Sequence, residues 1–376
     1  MSPRQLITVA PPIERVLLVG APRKGTPEAR EVEEHLDELA RLADTAGAVV
    51  VGRIVQLVAA PNPETWIGAG KVEEIRQRIA ESGATMVIFD EELSPRQGKH
   101  LEDEFKLRVM DRTELILDIF ALRARSREAR MQVELAQSEY LLPRLTRMWV
   151  HLSRIRGGIG LRGPGETQLE VDRRLIRHKI TQLKSKLEDV AAHRARMRAR
   201  VKDRGVRKVA LVGYTNAGKS SLLRALTGAN THVEDRLFAT LDTLSRETVL
   251  NGTRLRITDT VGFIRKLPHG LVASFRATLE EALDADVLVH VVDVAHPAWE
   301  DQAQVVGEVL DEAGKRAGGQ GGMVIMALNK VDLLDGPDRL ALQRLAAERG
   351  WEAVLTSAAT GAGIPELLGA IAAVRA

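Results

Sequence analysis

Short apolar runs alternate with amphipathic stretches over residues 15–110. The runs at 16–19, 49–51 and 86–89 are rich in branched apolar residues, which is typical of buried parallel strands. Apolar positions with helical spacing follow each run. This alternation predicts an N-terminal α/β domain with a largely parallel sheet, which we place at residues 1–112.

Longer stretches with helical spacing occupy the middle of the chain. One runs from 114 to 155, where Pro143 should disturb it, and the other runs from 166 to 204. Residues 156–165 between them contain five glycines and a proline, so they cannot continue a helix. We therefore predict a long antiparallel helical hairpin at residues 113–205.

The predicted tip of this hairpin carries positive charge. Arg156 and Arg162 stand beside the glycines, which favours a flexible basic tip. A loose interdomain linker is the alternative, but a linker would not need these two arginines.

Strand–loop–helix repeats begin at Lys208 and continue to Ala376. They predict a doubly wound α/β domain at residues 206–376. Its candidate strands are 208–213, 245–250, 254–259, 286–293, 323–329 and 351–356.

Charge is distributed unevenly along the chain. Residues 121–200 hold 19 Lys plus Arg against 8 Asp plus Glu, a net of +11, although the whole chain of 376 residues carries only +3. A basic middle suggests a surface for a polyanion, and a solvated helical face is the alternative. Aromatic residues are only 3% of the chain, so folded RNA phosphates fit this surface better than stacked bases do. The arginines of the second helical stretch are Arg173, Arg174, Arg177, Arg194, Arg196, Arg198 and Arg200.

Composition narrows the class of protein and its compartment. The chain has no cysteine, which excludes disulfides and cysteine-bound metals. No apolar run approaches the roughly 20 residues of a membrane span, and the N-terminus lacks the layout of a secretory signal. We expect a cytoplasmic monomer with no DNA partner and no membrane span.

Residues 213–220 match G-x-x-x-x-G-K-[ST] between a predicted strand and a predicted helix, the context that a phosphate-binding P-loop requires. Backbone N–H groups there would hold the phosphates of GTP or GDP. Lys219 should bridge the β- and γ-phosphates, and Ser220 should ligate Mg²⁺. The predicted nucleotide-binding residues of this segment are Gly213, Tyr214, Thr215, Asn216, Ala217, Gly218, Lys219, Ser220 and Ser221.

Two further segments fit the γ-phosphate and the metal. Asp259, Thr260, Val261 and Gly262 end a predicted strand, where Asp259 could hold Mg²⁺ and the Gly262 N–H could contact the γ-phosphate. A threonine before Asp259 must complete the metal shell, and we choose Thr240, with Thr243 as second choice and Thr231 and Thr248 as further candidates. The predicted nucleotide-binding residues around it are Phe238, Ala239, Thr240, Leu241 and Asp242.

The motif formed by Asn329, Lys330, Val331 and Asp332 predicts guanine specificity. The carboxylate of Asp332 can accept hydrogen bonds from guanine N1–H and the 2-amino group, and adenine offers no such pair of donors. A helix cap is the alternative reading. Backbone N–H groups at Ser357, Ala358 and Ala359 could reach guanine O6.

Phe263 follows Gly262, at the place where Ras-like GTPases carry a glutamine that orients the attacking water. No glutamine occurs between Gly262 and Gly270. We therefore expect slow intrinsic hydrolysis that a partner accelerates. Lys219, Thr240 and Gly262 are the residues to which we assign catalysis.

The chain resembles the HflX family of translational GTPases over nearly its whole length. The resemblance rests on the P-loop and on the segments at 237–242, 259–264, 66–71, 93–95, 133–136, 142–145 and 163–166. One departure is Thr243, which stands where the family usually has proline. The resemblance implies an N-terminal α/β domain, a helical hairpin and a GTPase domain. It also implies binding to the large ribosomal subunit and its rRNA, and dissociation of stalled or idle ribosomes.

Some alternatives stay open from the sequence. The stretch from Gly68 to Lys71 either begins a helix or forms a second nucleotide site, although its spacing is short for a P-loop. A GTP switch with a small partner and an ATP- or GTP-driven RNA remodeller are the competing functions. Nucleotide preference and stimulation by ribosomal subunits distinguish these possibilities.

Overall fold

The computed structural model describes residues 13–145, 166–200, 205–228, 237–238, 240–241, 244–250, 252–266, 283–316 and 322–374. These residues form two compact units. The first contains 13–119 and 143–145, and the second contains 120–142 and the described residues from 166 onward. Within the described part of the chain, no helix has the length and apolar character to cross a membrane.

The first unit is built on a four-stranded parallel sheet with the order β2-β1-β3-β4. The predicted parallel α/β domain is therefore confirmed. Its buried core includes Leu17, Val87, Phe89 and Leu101. The strands are β1 (Arg15–Gly20), β2 (Val49–Val55), β3 (Met86–Phe89) and β4 (Arg108–Asp111), and the helices are α1 (Pro27–Arg30), α2 (Val32–Thr45), α3 (Ala69–Ser82) and α4 (Pro95–Phe105). Helix α5 (Arg112–Arg123) begins in this unit and ends in the second.

The predicted helical stretch from 114 to 155 is interrupted, and its prediction as one stretch is wrong. Helix α5 ends at Arg123, and helix α6 (Arg127–Leu141) begins after Ser126, whose hydroxyl accepts a hydrogen bond from the N–H of Ala129 at 3.0 Å. A new N-cap of this kind starts a separate helix. Pro143 lies in a short 3₁₀ helix (Leu142–Arg144). Residues 146–165, which include the predicted tip, lie outside the described residues.

Helix α7 (Glu166–Arg200) packs against α6. Leu135 on α6 and Ile180 and Leu183 on α7 are buried between them. Three ion pairs also join the helices: Glu134–Lys179 at 2.7 Å, Glu139–Lys184 at 2.8 Å and Glu128–Arg194 at 2.7 Å. Part of the basic charge on α7 therefore serves helix pairing.

The rest of the second unit is a six-stranded sheet with the order β10-β9-β8-β5-β7-β6, parallel except where β6 pairs with β7. This confirms the predicted doubly wound domain and all six of its candidate strands. The strands are β5 (Val206–Gly213), β6 (Leu244–Leu250), β7 (Thr253–Asp259), β8 (Val287–Asp293), β9 (Met323–Asn329) and β10 (Ala353–Leu355), and the helices are α8 (Lys219–Thr227), α9 (Trp299–Arg316), α10 (Gly336–Glu348) and α11 (Ile364–Ala373). The carboxyl ends of the parallel strands share one edge, where ligands bind in such sheets.

Candidate nucleotide-binding site

The loop between β5 and α8 has the backbone of a phosphate-binding loop. Gly213, Asn216 and Gly218 have φ angles of 156°, 62° and 94°. A Cβ on Gly213 would lie 2.2 Å from the carbonyl oxygen of Val291, and a Cβ on Gly218 would lie 2.4 Å from Nδ2 of Asn329. Both positions therefore require glycine. The loop leads into the N-terminus of α8, whose unpaired N–H groups favour an anion.

Lys219 is the buried cation of this loop. Its Nζ donates hydrogen bonds to the carbonyl oxygens of Gly213 at 3.1 Å and Tyr214 at 2.8 Å. Burial lowers the pKa of Lys219 to about 8, and the negative charge of Asp259 opposes that shift. The contacts hold the ammonium within the loop, as binding of a phosphate oxygen requires.

Three predicted metal ligands from distant parts of the chain meet at one point. The Ser220 hydroxyl lies 2.6 Å from Oδ2 of Asp259 and 2.8 Å from the hydroxyl of Thr240. The Thr240 hydroxyl also donates to the same carboxylate oxygen at 3.0 Å. Burial raises the pKa of Asp259, while Lys219 and the two hydroxyl hydrogen bonds act against the rise.

The donor set suits Mg²⁺, a hard cation that prefers carboxylate and hydroxyl oxygens. Asp259 is fully buried, and its Oδ1 has no hydrogen-bond partner among the described residues. An unpaired buried carboxylate oxygen is costly, so a ligand at this point would relieve it. Ser220, Thr240 and Asp259 would hold the ion, which supplies charge compensation for the phosphates.

Asn329, the first residue of the motif predicted to recognise guanine, contacts the P-loop. Its Nδ2 donates to the carbonyl oxygen of Ala217 at 2.9 Å, and its Oδ1 accepts from the N–H of Ala358 at 3.1 Å. Lys330 has a φ of 66°, and its Nζ pairs with Asp293 at 2.7 Å. Asp332 is exposed, so its carboxylate is available to a base.

The loop after β10 is tightly organised. The N–H of Ser357 donates to the carbonyl oxygen of Ala362 at 2.9 Å, and its hydroxyl accepts from the N–H of Thr360 at 3.1 Å. The Ala358 N–H, which we expected near guanine O6, is donated to Asn329 instead. The Ser357 N–H, also predicted near that atom, is donated to Ala362, and Ala359 is the third residue predicted there.

A backbone bridge joins Phe263 to the P-loop. The Phe263 N–H donates to the carbonyl oxygen of Gly213 at 3.0 Å, and the Thr215 N–H donates to the carbonyl oxygen of Phe263 at 2.7 Å. Next to this bridge, the Tyr214 hydroxyl accepts from the N–H of Arg265 at 2.8 Å. Phe263 is thus held by its backbone and offers no polar side chain.

Several other residues predicted for the nucleotide site do not join the groups described above. Phe238 is buried, with its ring 4.5 Å from that of Phe120, and Leu241 is also buried. The Thr260 hydroxyl donates to the carbonyl oxygen of Leu211 at 2.7 Å, which indicates a structural role. The alternative threonine Thr248 lies in β6. Ala239, Asp242, Thr231 and Thr243 lie outside the described residues.

The sequence reasoning missed His290. It lies in β8, next to Val212 and Met326 in the sheet register, and is 5% exposed. Burial lowers its pKa to about 4, with the positive charge of Lys219 acting in the same direction. A single histidine within the apolar run 287–292 was the signal that could have revealed it.

The stretch from Gly68 to Lys71 begins helix α3, as one of the two interpretations predicted. Gly68 is the N-cap, and Lys71 pairs with Glu74 at 2.6 Å.

Comparison with protein families gives three matches along the chain. Residues 33–121 match a family described as the GTP-binding GTPase N-terminal region, and residues 123–200 match the GTP-binding GTPase middle region. Residues 208–330 match a family described as 50S ribosome-binding GTPase.

Two proteins with similar sequences are both named GTPase HflX. The GTPase HflX of Caldanaerobacter subterraneus subsp. tengcongensis is 51% identical over 306 residues, which cover 81% of this chain and 71% of that protein. The GTPase HflX of Escherichia coli is 46% identical over 340 residues, which cover 90% of this chain and 78% of that protein.

A solved structure has a similar fold. It is a GTP-binding protein from Sulfolobus solfataricus in complex with GDP, with a TM-score of 0.50 and 24% identity, covering 96% of this chain and 98% of that one.

Proposed function

The chain belongs to the HflX family of GTPases, and from this premise we propose that its GTP form binds the large ribosomal subunit and dissociates stalled or idle ribosomes. It hydrolyses GTP to GDP and phosphate, and in the proposal hydrolysis resets the cycle. Mg²⁺ is the proposed metal, held by Ser220, Thr240 and Asp259. We also propose that the protein works in the cytoplasm as a monomer.

The observation that carries the proposal is a GTP site without a water-orienting side chain after Gly262. Phe263 stands there, and its N–H and carbonyl groups are both bonded to the P-loop. In the proposal, basal hydrolysis by groups of the chain itself is slow, and a partner adds a group to the site; such a group raises hydrolysis by about 10³–10⁵ in known GTPases.

The partner's chemistry is supported by helix α7. Arg174 and Arg177 are exposed, whereas Lys179 and Lys184 pair with glutamates of α6. Exposed arginines without interleaved aromatics suit RNA phosphates more than stacked bases. The description of the family that matches residues 208–330 supports a 50S ribosomal partner.

The proposal is tested by measuring GTP hydrolysis with and without purified large subunits. We expect slow basal turnover and stimulation by orders of magnitude. ATP should not replace GTP, which would exclude the ATP-driven remodeller. Absence of stimulation would overturn the ribosomal proposal and leave a GTP switch with another partner.

Variants of residues 156–165 test the tip, which lies outside the described residues. Replacing Arg156 and Arg162 with Ala should reduce stimulated hydrolysis and subunit splitting. Basal turnover should stay unchanged, because the phosphate site is built elsewhere. Equal stimulation of parent and variant would remove the tip from the mechanism.

A further inference from the structure

The hydroxyl of Thr215 is a buried polar group that the site described above does not use. Thr215 is 7% exposed, and its Oγ1 has no hydrogen-bond partner among the described residues. A buried hydroxyl left in this state costs about 1–3 kcal/mol, so native proteins rarely keep one without a reason. A valine would fill the same volume without that cost.

The Thr215 side chain lies where the γ-phosphate end of the nucleotide is expected. A Cβ built on Gly262 would be 2.9 Å from Cγ2 of Thr215 and 2.9 Å from Nζ of Lys219. The Thr215 methyl group, Gly262 and the Lys219 ammonium therefore border one small volume, and a change of the χ1 rotamer would bring the Thr215 hydroxyl to the place of the methyl group. In the proposed nucleotide complex, the Gly262 N–H and Lys219 both contact the γ-phosphate.

Phe263, the residue that follows Gly262, offers no side chain that could hold a water molecule. Phe263 is apolar, and the hydrogen bonds to Gly213 and from Thr215 occupy its backbone groups. A threonine hydroxyl has one donor and two acceptor sites, so it can accept from a water molecule while donating to a phosphate oxygen.

We propose that Oγ1 of Thr215 hydrogen-bonds the attacking water and positions it for GTP hydrolysis. The water adds to the γ-phosphorus, the bond to the β–γ bridging oxygen breaks, and the water proton leaves with the inorganic phosphate. Thr215 holds the water and does not take its proton. This inference rests on GTP hydrolysis by the chain and is independent of the ribosomal proposal.

Thr215→Val removes the hydroxyl at nearly constant volume, and Thr215→Ser keeps it. In single-turnover assays with Mg²⁺ and no ribosomal subunits, Thr215→Val should lower the hydrolysis rate by about 10- to 100-fold, because misplacing a reactant has costs of that order. The affinity for GDP, which has no γ-phosphate, should change by less than about threefold, since Lys219 and the loop N–H groups stay in place. Thr215→Ser should retain most of the parent rate.

The free energy of unfolding provides a second readout. Thr215→Val should be at least as stable as the parent in urea, because an unpaired buried hydroxyl is removed. A parent-like rate for Thr215→Val would overturn the proposal. Equal rate losses in Thr215→Val and Thr215→Ser would also overturn it, since the hydroxyl would then not be the group that matters.

Discussion

Burial changes the ionisation of several side chains around the phosphate site. It lowers the pKa of Lys219 to about 8 and raises the pKa of Asp259, while the charge of each group opposes the shift of the other. A bound phosphate favours the charged ammonium, and a bound Mg²⁺ favours the carboxylate. Nucleotide binding should therefore be accompanied by proton exchange with the buffer.

Asp332 is expected to select guanine. Asp332→Asn should weaken GTP binding by about 100-fold or more, because the amide places a donor opposite guanine's own donors. Xanthine nucleotides, which carry a 2-oxo group, should bind the variant better. Titration with fluorescent GTP and XTP measures both effects, and Asp338→Asn in the exposed first turn of α10 is the matched control. The same GTP-to-XTP preference in variant and parent would contradict the assignment.

Thr240 is expected to join the metal shell only when GTP is bound. Thr240→Ala should lose GTP hydrolysis but keep GDP binding, because such threonines are ordered by the γ-phosphate and Mg²⁺. Ser220→Ala should impair both states, since that hydroxyl serves the metal throughout the cycle. Calorimetric GDP and GTP affinities separate the two variants, and equal loss of both in Thr240→Ala would refute the role.

His290 should make the protein sensitive to acid. Its pKa is about 4 in the folded state against 6.5 for the free side chain, so the unfolded chain takes up a proton first as the pH falls. Its contribution to stability is present above pH 6.5 and is lost as the pH falls towards 4. Between pH 7 and pH 5 the parent should lose about 2 kcal/mol more than His290→Leu. Urea unfolding at both pH values measures this difference, and parallel pH profiles would contradict it.

Helix boundaries in the middle of the chain depend on side-chain caps and on buried charge. Ser126 caps α6, and the Asp111 carboxylate accepts from the N–H groups of Glu114 at 2.9 Å and Leu93 at 3.1 Å. Arg144, at the end of the 3₁₀ helix, donates to the carbonyl oxygen of Leu93 at 2.6 Å and lies 3.5 Å from Asp111. The segment at 142–145 is one of those that carry the family resemblance, and its Arg144 contacts buried groups of the first unit.

Arg144→Met should destabilise the protein by about 3 kcal/mol, because it leaves the buried carboxylate of Asp111 without its cation. Burial already raises the pKa of Asp111, and the Arg144 charge acts against the rise. The deficit of the variant should therefore shrink as the pH falls and the carboxyl becomes neutral. Urea unfolding at pH 7 and pH 5 measures it.

Arg78→Met is the control. Arg78 and its partner Glu81 are both exposed, and a guanidinium nitrogen of Arg78 lies 3.3 Å from Oε2 of Glu81. Loss of such a pair costs at most about 1 kcal/mol. An equal cost for the two variants would show that Arg144 acts as an ordinary surface arginine.

The two units use the carboxyl edges of their sheets differently. In the first unit, buried Arg112 pairs with Asp90 at 2.7 Å and with Glu38, so ion pairs close that edge. In the second unit, Asp259 and Thr215 keep buried oxygens without partners among the described residues. The first unit also keeps such an oxygen, Oε1 of Gln56, so the P-loop and Asp259 assign the proposed GTP site to the second unit, and unpaired oxygens alone do not.

Salt dependence is the expected signature of RNA binding by the whole molecule. Each arginine that contacts a phosphate releases counterions, so the affinity for large subunits should fall steeply with salt. Replacing Arg174 and Arg177 with Gln should lower the slope of log affinity against log salt by about 1 for each arginine. Lys184→Gln is the control, because Lys184 already pairs with Glu139. Unchanged slopes in sedimentation assays would exclude this face of α7 from the contact.

The sequence by itself determined the features that contiguous residues encode. The P-loop, the predicted guanine-recognition motif and every strand except β4 follow from short windows of sequence, because phosphate binding and strand burial each impose a local pattern. The stop between α5 and α6 is also local, but a single serine cap within a helical pattern was too weak a signal.

Only the tertiary structure decided which distant groups meet. Thr240 joins Ser220 and Asp259, which lie 20 and 19 positions from it along the chain. The bonds between Phe263 and the P-loop and the approach of Arg144 to Asp111 have no pattern in the sequence, and the apolar run around His290 does not show that Lys219 lies near it. The physical reason is that burial and pairing depend on residues that are distant in the sequence and are brought together by the fold. Those residues determine the pKa of a buried side chain, which buried oxygens lack a partner, and which side chains can bind a ligand together.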